Sequence, residues 1–481
     1  MKKLLLGLIC LLITCFGYSQ TGLINQNQER ALKGLDAQFA SYHDMAHEIW
    51  NLAELGFMEE ESVKILSEKL EAAEFTIEHG VADMPTAFIA TYGSGQPVIG
   101  LLAEYDALPG MSQKPTTTFE PLVDGGAGHA CGHHLFGTGS VAAAISIKEW
   151  LQASGESGTI RLYGTPAEEG GGGKIFMVRA GLFDDVDAVL SWHPSDANRC
   201  NATSSLAAAS MNFKFRGVAS HAAAAPERGR SALDGVEAMN HMVNLMREHI
   251  PQDSRIHYSI KYGGGAANIV PATAEVSYII RHPDIATMKN LIERVERAAQ
   301  GAALGTDTKV EKEVEIGYYN ILSNETLSET MHENLSKVGG VIYDQQERVF
   351  ATEIMTSYDP KDKTLASAGE VQEYTTVLKR PTGSTDVGDI SWVVPTANLS
   401  AATWVPGTSA HSWQAVAAGG TTIGTKGMMV AAKTMTSTAI TLYENPSIIA
   451  KAKEELLEKR GADFKYECLV GDNPPPLNYR R

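Results

Sequence analysis

The chain has 481 residues, and its 40 basic against 57 acidic residues give a net charge of −17 at neutral pH. This acidic balance argues against nucleic acid or an anionic membrane surface as the partner. The length predicts two or three domains built around a large hydrophobic core.

The N-terminus has the features of a secretory signal. Three residues, Met1-Lys2-Lys3, start the chain with two positive charges, and an apolar run follows from Leu4 to Ile13. This run is too short to span a bilayer comfortably. We therefore expect residues 1–19 to be a signal peptide and the mature protein to be exported, periplasmic or secreted, without stable membrane insertion and with lipoprotein anchoring the weaker alternative.

The cysteines that remain after removal of this signal do not indicate a disulfide framework. Their number is odd, and in an exported protein an odd count suggests that at least one thiol has another use. A metal-bound thiolate would account for it. The three cysteines are Cys131, Cys200 and Cys468.

Strands and helices alternate over residues 20–207. Helical spacing of apolar residues predicts helices at 35–52, 62–73, 136–152 and 174–180, and buried apolar runs predict strands at 86–92, 98–105, 159–165 and 187–193. This alternation predicts an α/β fold. In such sheets, ligand sites lie beyond the carboxyl ends of the strands.

The pattern changes after residue 207. Strands are predicted at 211–216, 255–262, 275–281 and 310–316, with helices that begin after Ser231 and Asp284. The order β-α-β-β-α-β is ferredoxin-like. We therefore predict a catalytic α/β domain with a mixed sheet over 20–207 and 321–481, interrupted by a smaller ferredoxin-like α+β domain over 208–320. Residues 353–380 show no clear pattern.

Two short stretches carry the chemistry, namely His129-Ala-Cys-Gly-His-His134 and Pro166-Ala-Glu-Glu-Gly-Gly-Gly-Gly173. Thiolate, imidazole and carboxylate are the side chains that bind a zinc-like ion, and catalytic sites leave one position open for water. A Glu-Glu pair can supply one ligand and one free carboxylate for proton transfer. Histidines in a glycine-rich loop can also be ordinary turn residues, so the cluster alone is a weak signal.

Two further histidines strengthen the metal interpretation, although each alone could be structural or a surface residue. His193 ends a predicted strand, and His411 lies in a Gly/Ser-rich loop. The sequence thus offers five candidate ligands: Cys131, His133, Glu169, His193 and His411. Five are too many for one tetrahedral ion and suit two divalent ions, Zn or Mn. A water bridging two such ions becomes hydroxide near neutral pH, and Glu168 would accept its proton as general base.

Seven stretches carry a resemblance to a known family: His129–Gly139, Pro166–Lys174, Leu190–Pro194, Ser220–Glu227, Asn268–Pro271, Gly383–Asp389 and His411–Trp413. Together they resemble the dinuclear metalloamidases of the aminoacylase and glutamate carboxypeptidase type, in the branch with hippurate and auxin-conjugate hydrolases. The resemblance covers essentially the whole mature chain. It implies the five metal ligands and the general base Glu168 given above.

The resemblance also implies roles for the inserted domain. This domain is expected to act as a lid and to dimerise, and His221 is expected to reach the partner's site and polarise the scissile carbonyl. Asn268 and Arg281 are expected to hold the substrate's carboxylate, although a turn role for Asn268 and a surface salt bridge for Arg281 stay open. One departure is His134, since many relatives have Asp after the ligating histidine; this position therefore offers no carboxylate to support the ligand.

The residues and the resemblance together predict a metal-dependent amidohydrolase that acts on a small N-acyl amino acid resembling p-aminobenzoyl-glutamate. The resemblance also implies that the chain forms a homodimer, or a heterodimer with a related A subunit. A dipeptidase or deacetylase on the same scaffold is the nearest alternative. The alternative from another class is a metal-holding regulatory subunit without turnover. The second carboxylate of the pair, Glu168, favours the enzyme, because a pure binding protein does not need it.

Overall fold

A computed structural model describes residues 26–377, 381 and 383–480. The predicted signal peptide, residues 1–19, lies outside the described residues, as do residues 378–380 of the segment that shows no clear pattern. Within the described ranges, no helix is both long enough and apolar enough to cross a membrane.

The helices are α1 Gln26–Ala37, α2 Phe39–Leu52, α3 Glu60–Ala72, α4 His133–Ser154, α5 Gly173–Arg179, α6 Ala232–Met246, α7 Ile285–Gly305, α8 Glu325–Val338, α9 Gln345–Ile354, α10 Val387–Ser391, α11 Trp413–Gly419, α12 Thr422–Glu444 and α13 Pro446–Arg460. The strands are β1 Thr76–His79, β2 Phe88–Ser94, β3 Val98–Ala103, β4 Gly158–Gly164, β5 Ala188–Ser195, β6 Arg199–Cys200, β7 Ala207–Arg216, β8 Arg255–Tyr262, β9 Thr273–His282, β10 Lys309–Tyr318 and β11 Thr396–Ala402.

The larger sheet is mixed, as predicted, and has the strand order β1-β2-β4-β3-β5-β11-β6. Its centre, β4-β3-β5-β11, is parallel, whereas β1, β2 and β6 are antiparallel to their neighbours. Every residue of β3 is buried, which is typical of a parallel strand covered on both faces. Helix α4 packs on β3, β4 and β5 and is itself buried over most of its length.

The smaller sheet is antiparallel, with the order β10-β7-β9-β8, and this arrangement confirms the predicted ferredoxin-like topology. Both predicted helix starts are present: the Ser231 side chain accepts a hydrogen bond from the Asp234 backbone N–H, and the Asp284 side chain accepts one from Thr287. From Ala209 to Arg216 on β7, buried side chains alternate with half-buried or exposed ones, because one face packs on α6 and α7. The exact domain boundaries at 207 and 320 stay a prediction.

Helix bounds shift by one or two residues in α3 and α5, and two predictions differ more from the structure. The helix expected over 35–52 is two helices, α1 and α2, which meet at Gln38, where the backbone leaves the helical conformation. Helix α4 begins at His133 rather than at residue 136, because Gly132 adopts a left-handed conformation and acts as its N-cap. A candidate ligand is therefore the first residue of a buried helix.

Candidate metal centre

Three adjacent parallel strands deliver much of the site. Strand β3 is followed directly by Glu104 and Asp106, the loop after β4 carries Glu168 and Glu169, and β5 itself contains His193. Because β3 lies between β4 and β5, the carboxyl ends of these strands meet at one edge of the sheet. This is the edge at which the sequence predicted the site.

The Cys131–His133 turn depends on the glycine between the two candidate ligands. Gly132 has φ 77°, a conformation that a residue with a side chain rarely adopts. A Cβ atom there would also lie 2.7 Å from the Cβ of Pro194. The turn therefore packs tightly on the end of β5, where the Cys131 Sγ lies 3.5 Å from the His193 Nε2.

The five candidate ligands converge in two groups that share Cys131. One group is Cys131, His133 and His193, and the other is Cys131, Glu169 and His411; within each group the ligand atoms lie within 4.8 Å of one another. A third group that meets the same distance limit, Glu104, His133 and Glu168, lacks the thiol. The His411 Nε2 is 3.1 Å from the Glu169 Oε1. The His411 backbone N–H donates to the Ala130 carbonyl at 3.0 Å, which ties the two ligand-bearing loops together.

The donor atoms in this cluster fit divalent metal ions. The Glu104 Oε2, the His133 Nε2 and the Glu169 Oε1 are buried and have no hydrogen-bond partner of acceptable geometry. Such buried unpartnered atoms are rare, because leaving them unsatisfied is costly. Their mixture with a thiol and two further imidazoles is the donor set of a zinc-like ion.

Asp106 orients two of the candidate ligands, a role that the sequence patterns did not predict. Its Oδ1 lies 2.8 Å from the His133 Nδ1, and its Oδ2 accepts a hydrogen bond from the Glu169 backbone N–H at 2.8 Å. The His193 Nδ1 is similarly held by the Pro194 carbonyl at 2.8 Å. In both histidines the Nε2 is left for the metal, as is typical of ligating histidines. The signal in the sequence was an acidic pair at a strand end.

Lys174 is the second residue whose role the sequence patterns did not predict. It is fully buried, and its Nζ lies 2.7 Å from the Glu104 Oε1 and 2.7 Å from the Asp386 Oδ1. Burial lowers the pKa of Lys174, but Asp386 and Glu104 outweigh burial and raise it above its usual value. The ammonium group thus holds Glu104 in place, with the other carboxylate oxygen 3.1 Å from the His133 Nε2.

Glu168 has a high proton affinity and a free carboxylate. Burial raises its pKa well above the usual value, and the nearby Glu104, Glu169 and Asp386 raise it further. None of the residues that the structure describes hydrogen-bonds to this carboxylate. A buried carboxylate whose proton affinity is raised in this way suits the role of a general base.

His134 does not take over the role of the aspartate found in relatives. It is fully buried, its Nε2 is 3.1 Å from the Gly419 carbonyl, and its ring centroid is 4.8 Å from that of His129. Burial lowers its pKa well below the usual value, and His129 lowers it further, so both disfavour the charged form of the ring. Orientation of His133 comes instead from Asp106.

The structure places His221 and Asn268 together and separates both from Arg281. His221 is exposed, and the Asn268 carbonyl accepts a hydrogen bond from the backbone N–H of the next residue, Ala222. Asn268 precedes β9, whereas Arg281 is its second-last residue and lines a cavity of about 430 Å³. Thr273 and Arg281 are eight positions apart along this strand, which corresponds to roughly 27 Å. Neither His221, Asn268 nor Arg281 belongs to the groups of candidate metal ligands described above.

Comparison with known proteins gives matches over most of the chain. The family model Peptidase family M20/M25/M40 matches residues 100–412. The B subunit of the p-aminobenzoyl-glutamate hydrolase of Escherichia coli (strain K12) is 39% identical over 475 residues, which cover 92% of this chain and 98% of the relative. The Xaa-Arg dipeptidase of Mus musculus is 29% identical over 455 residues, 91% of this chain and 94% of the relative. A solved dinuclear metal binding peptidase of the M20 family from Bacillus subtilis has a TM-score of 0.58 at 18% identity and matches 85% of this chain and 99% of its own.

Proposed function

Because the chain belongs to peptidase family M20/M25/M40 and is a metal-dependent amidohydrolase, we propose that it hydrolyses the amide bond of an N-acyl amino acid resembling p-aminobenzoyl-glutamate. The observation that carries this proposal is the convergence of five candidate ligands in two groups that share Cys131, beside the free carboxylate of Glu168. The similarity to the Escherichia coli relative supports the choice of substrate class.

In this proposal the chain holds two divalent ions, Zn or Mn. Cys131, His133 and His193 would hold one ion, and Cys131, Glu169 and His411 would hold the other. The unpartnered buried atoms of His133 and Glu169 support these assignments. When bound, the ions supply Lewis acidity and lower the pKa of water.

The protein's own groups would then move the proton and hold the substrate. Glu168 accepts a proton from the attacking water and returns it to the leaving amine, a role that its raised pKa supports. Asp106 keeps the His133 ring in one orientation. Arg281 and Asn268 bind the substrate's carboxylate, for which a guanidinium group provides two parallel hydrogen bonds.

The separation of Asn268 from Arg281 supports a site shared between two chains. One substrate can contact both residues only if His221 and Asn268 come from one chain and Arg281 from the other. The edge strand β8, with exposed Tyr258 and Ile260, supports such a dimer. Edge strands offer unpaired backbone groups to a second strand. A homodimer is proposed first, and a heterodimer is the alternative, since the Escherichia coli relative is the B subunit of its enzyme.

The shared site is tested by mixing two inactive variants, His221→Ala and Glu168→Gln. Heterodimers would contain one site with both residues intact, so part of the activity should return. Mass spectrometry would establish that subunits have exchanged. Exchange without any return of activity would contradict a contribution of His221 from the partner.

The proposed reaction is tested by a substrate panel on the purified protein. p-Aminobenzoyl-glutamate should release its amine in the presence of Zn²⁺ or Mn²⁺, and a strong chelator or Glu168→Gln should abolish release. An Xaa-Arg dipeptide and an N-acetyl amino acid test the dipeptidase and deacetylase alternatives. A protein that binds metal but releases amine from no substrate would instead be a regulatory subunit.

The carboxylate contact has its own control in this panel. A substrate whose carboxylate is blocked as an amide should be cleaved poorly by the parent protein, and Arg281→Ala should remove the discrimination. Persistence of the preference in Arg281→Ala would place carboxylate recognition elsewhere.

Export, proposed from residues 1–19, is tested by locating the protein in fractionated cells and sequencing its N-terminus.

A further inference from the structure

The segment that follows the last helix, residues 466–480, runs from the small sheet to the metal-ligand loop. We call it the C-terminal strap. It has no helix or strand, and its ordered path depends on contacts with other elements. The Tyr466 hydroxyl donates to the Asp389 carboxylate at 2.7 Å, and the Arg179 guanidinium on α5 donates to the carbonyls of Gly471 and Asn473 at 2.8 and 2.7 Å.

The strap also contacts the inserted domain. The Asn473 side chain donates to the carbonyl of Val314 on β10, at 3.2 Å. Leu469 lies against Gly317 near the end of the same strand, where an added Cβ would be 2.6 Å from the leucine Cβ. A cleft of about 1020 Å³ is lined by the strap, by β10 and by Gly170.

The end of the strap reaches the backbone of a candidate metal ligand. The carbonyl of Glu169 accepts two hydrogen bonds, one from the Tyr479 hydroxyl at 3.1 Å and one from the Arg480 Nη2 at 2.7 Å. The Tyr479 ring packs edge-on against Phe57, with the centroids 5.8 Å apart. Gly56 leaves room for the tyrosine, since an added Cβ there would be 2.2 Å from the hydroxyl oxygen.

The loop that carries Glu168 and Glu169 contains one strained non-glycine residue, Ala167. Three of its residues have positive φ: Ala167 at 57°, Gly170 at 98° and Gly172 at 67°. A non-glycine residue in this region is strained, and it persists only where the surroundings fix it. The backbone of Glu169 is held at both of its polar groups, because its N–H donates to Asp106 and its carbonyl accepts from the strap.

We propose that Tyr479 and Arg480 are positioning residues for the metal centre, acting through the backbone carbonyl of Glu169. They hold Glu169 as a ligand and keep the neighbouring Glu168 at a fixed distance from it. The assignment rests on the proposed role of this loop as metal ligand and base. By its contacts with β10, the strap also links the position of that loop to the inserted domain.

The test compares three variants of the full-length protein. Tyr479→Phe removes one hydrogen bond and keeps the ring on Phe57, Arg480→Met removes the second, and the double variant removes both. Asn478→Ala is the matched control, since Asn478 is exposed in the same segment. Metal affinity is measured by chelator competition without substrate, so the result does not depend on hydrolytic activity. The expected loss is roughly 10–100-fold for the double variant, the usual effect of removing an outer partner of a metal ligand.

Two further readouts separate positioning from general stabilisation. Hydrogen exchange of the amides at 167–172 should accelerate in the double variant, while exchange in α4 should not change. Arg480→Lys should recover part of the metal affinity that Arg480→Met loses, because its ammonium can still donate. A double variant that is folded but keeps the parent's metal affinity and loop exchange would overturn the proposal. A parent protein that binds metal tightly but cleaves no substrate would overturn the proposed function alone.

Discussion

Replacement of Lys174 by Met tests how the buried carboxylates of Glu104 and Asp386, beside the metal centre, are stabilised. The lysine ammonium is fully buried between Glu104 and Asp386, at 2.7 Å from each. Met fills a similar volume but carries no charge, so it would leave two buried carboxylates without their counter-ion. Removing one partner of a buried ion pair costs roughly 3–5 kcal/mol in the free energy of unfolding. With two carboxylates affected, we expect Lys174→Met to lie at the upper end of that range.

The assay is urea unfolding of the metal-free protein, followed by far-UV circular dichroism, with Lys148→Met as matched control. Lys148 also makes a 2.7 Å ion pair, but its partner Glu74 is 70% exposed. An exposed pair contributes little to stability, because water and salt screen it. The deficit of Lys174→Met should also shrink at acidic pH, because protonated carboxyl groups no longer need the counter-ion. A loss no larger than that of Lys148→Met would refute the assigned role of the buried lysine.

Three further predictions concern the ligands and the buried acids. Cys131→Ala should lower the metal content below that of the parent, measured by inductively coupled plasma mass spectrometry, because both candidate groups include Cys131. Asp106→Asn should weaken metal affinity by roughly 10–100-fold, since it removes the carboxylate that orients His133, and an unchanged affinity in chelator competition would contradict that role. Burial raises the pKa of Asp389 from 3.8 to about 7, so the folded state keeps a proton that the unfolded state releases between these pH values. The parent's free energy of unfolding should therefore fall relative to that of Asp389→Asn by about 1.4 kcal/mol per pH unit across this window, and parallel pH profiles would contradict the assignment.

The sequence alone determined the fold class and the candidate ligands. Alternation of short apolar runs with helical spacing is a local property, and it predicted the α/β domain and the ferredoxin-like insertion that the two sheets confirm. Capping residues are equally local, and Ser231 and Asp284 start helices as predicted. The ligand types were readable because thiol, imidazole and carboxylate groups are the side chains that bind such ions.

Only the tertiary structure decided which of these groups meet. His193 and His411 are 218 residues apart, and their approach follows from strand order and loop packing, which sequence spacing does not specify. Sequence spacing also does not specify the roles of Asp106 and Lys174. These roles arise because β3 lies between β4 and β5, so the residues that follow β3 meet the candidate ligands that β4 and β5 deliver. The strap contact between Arg480 and the Glu169 carbonyl spans 311 residues and involves a backbone atom, which no residue pattern marks. Local structure is encoded by neighbours in sequence, whereas a metal centre forms where distant segments pack against one another, and that packing is a property of the folded chain.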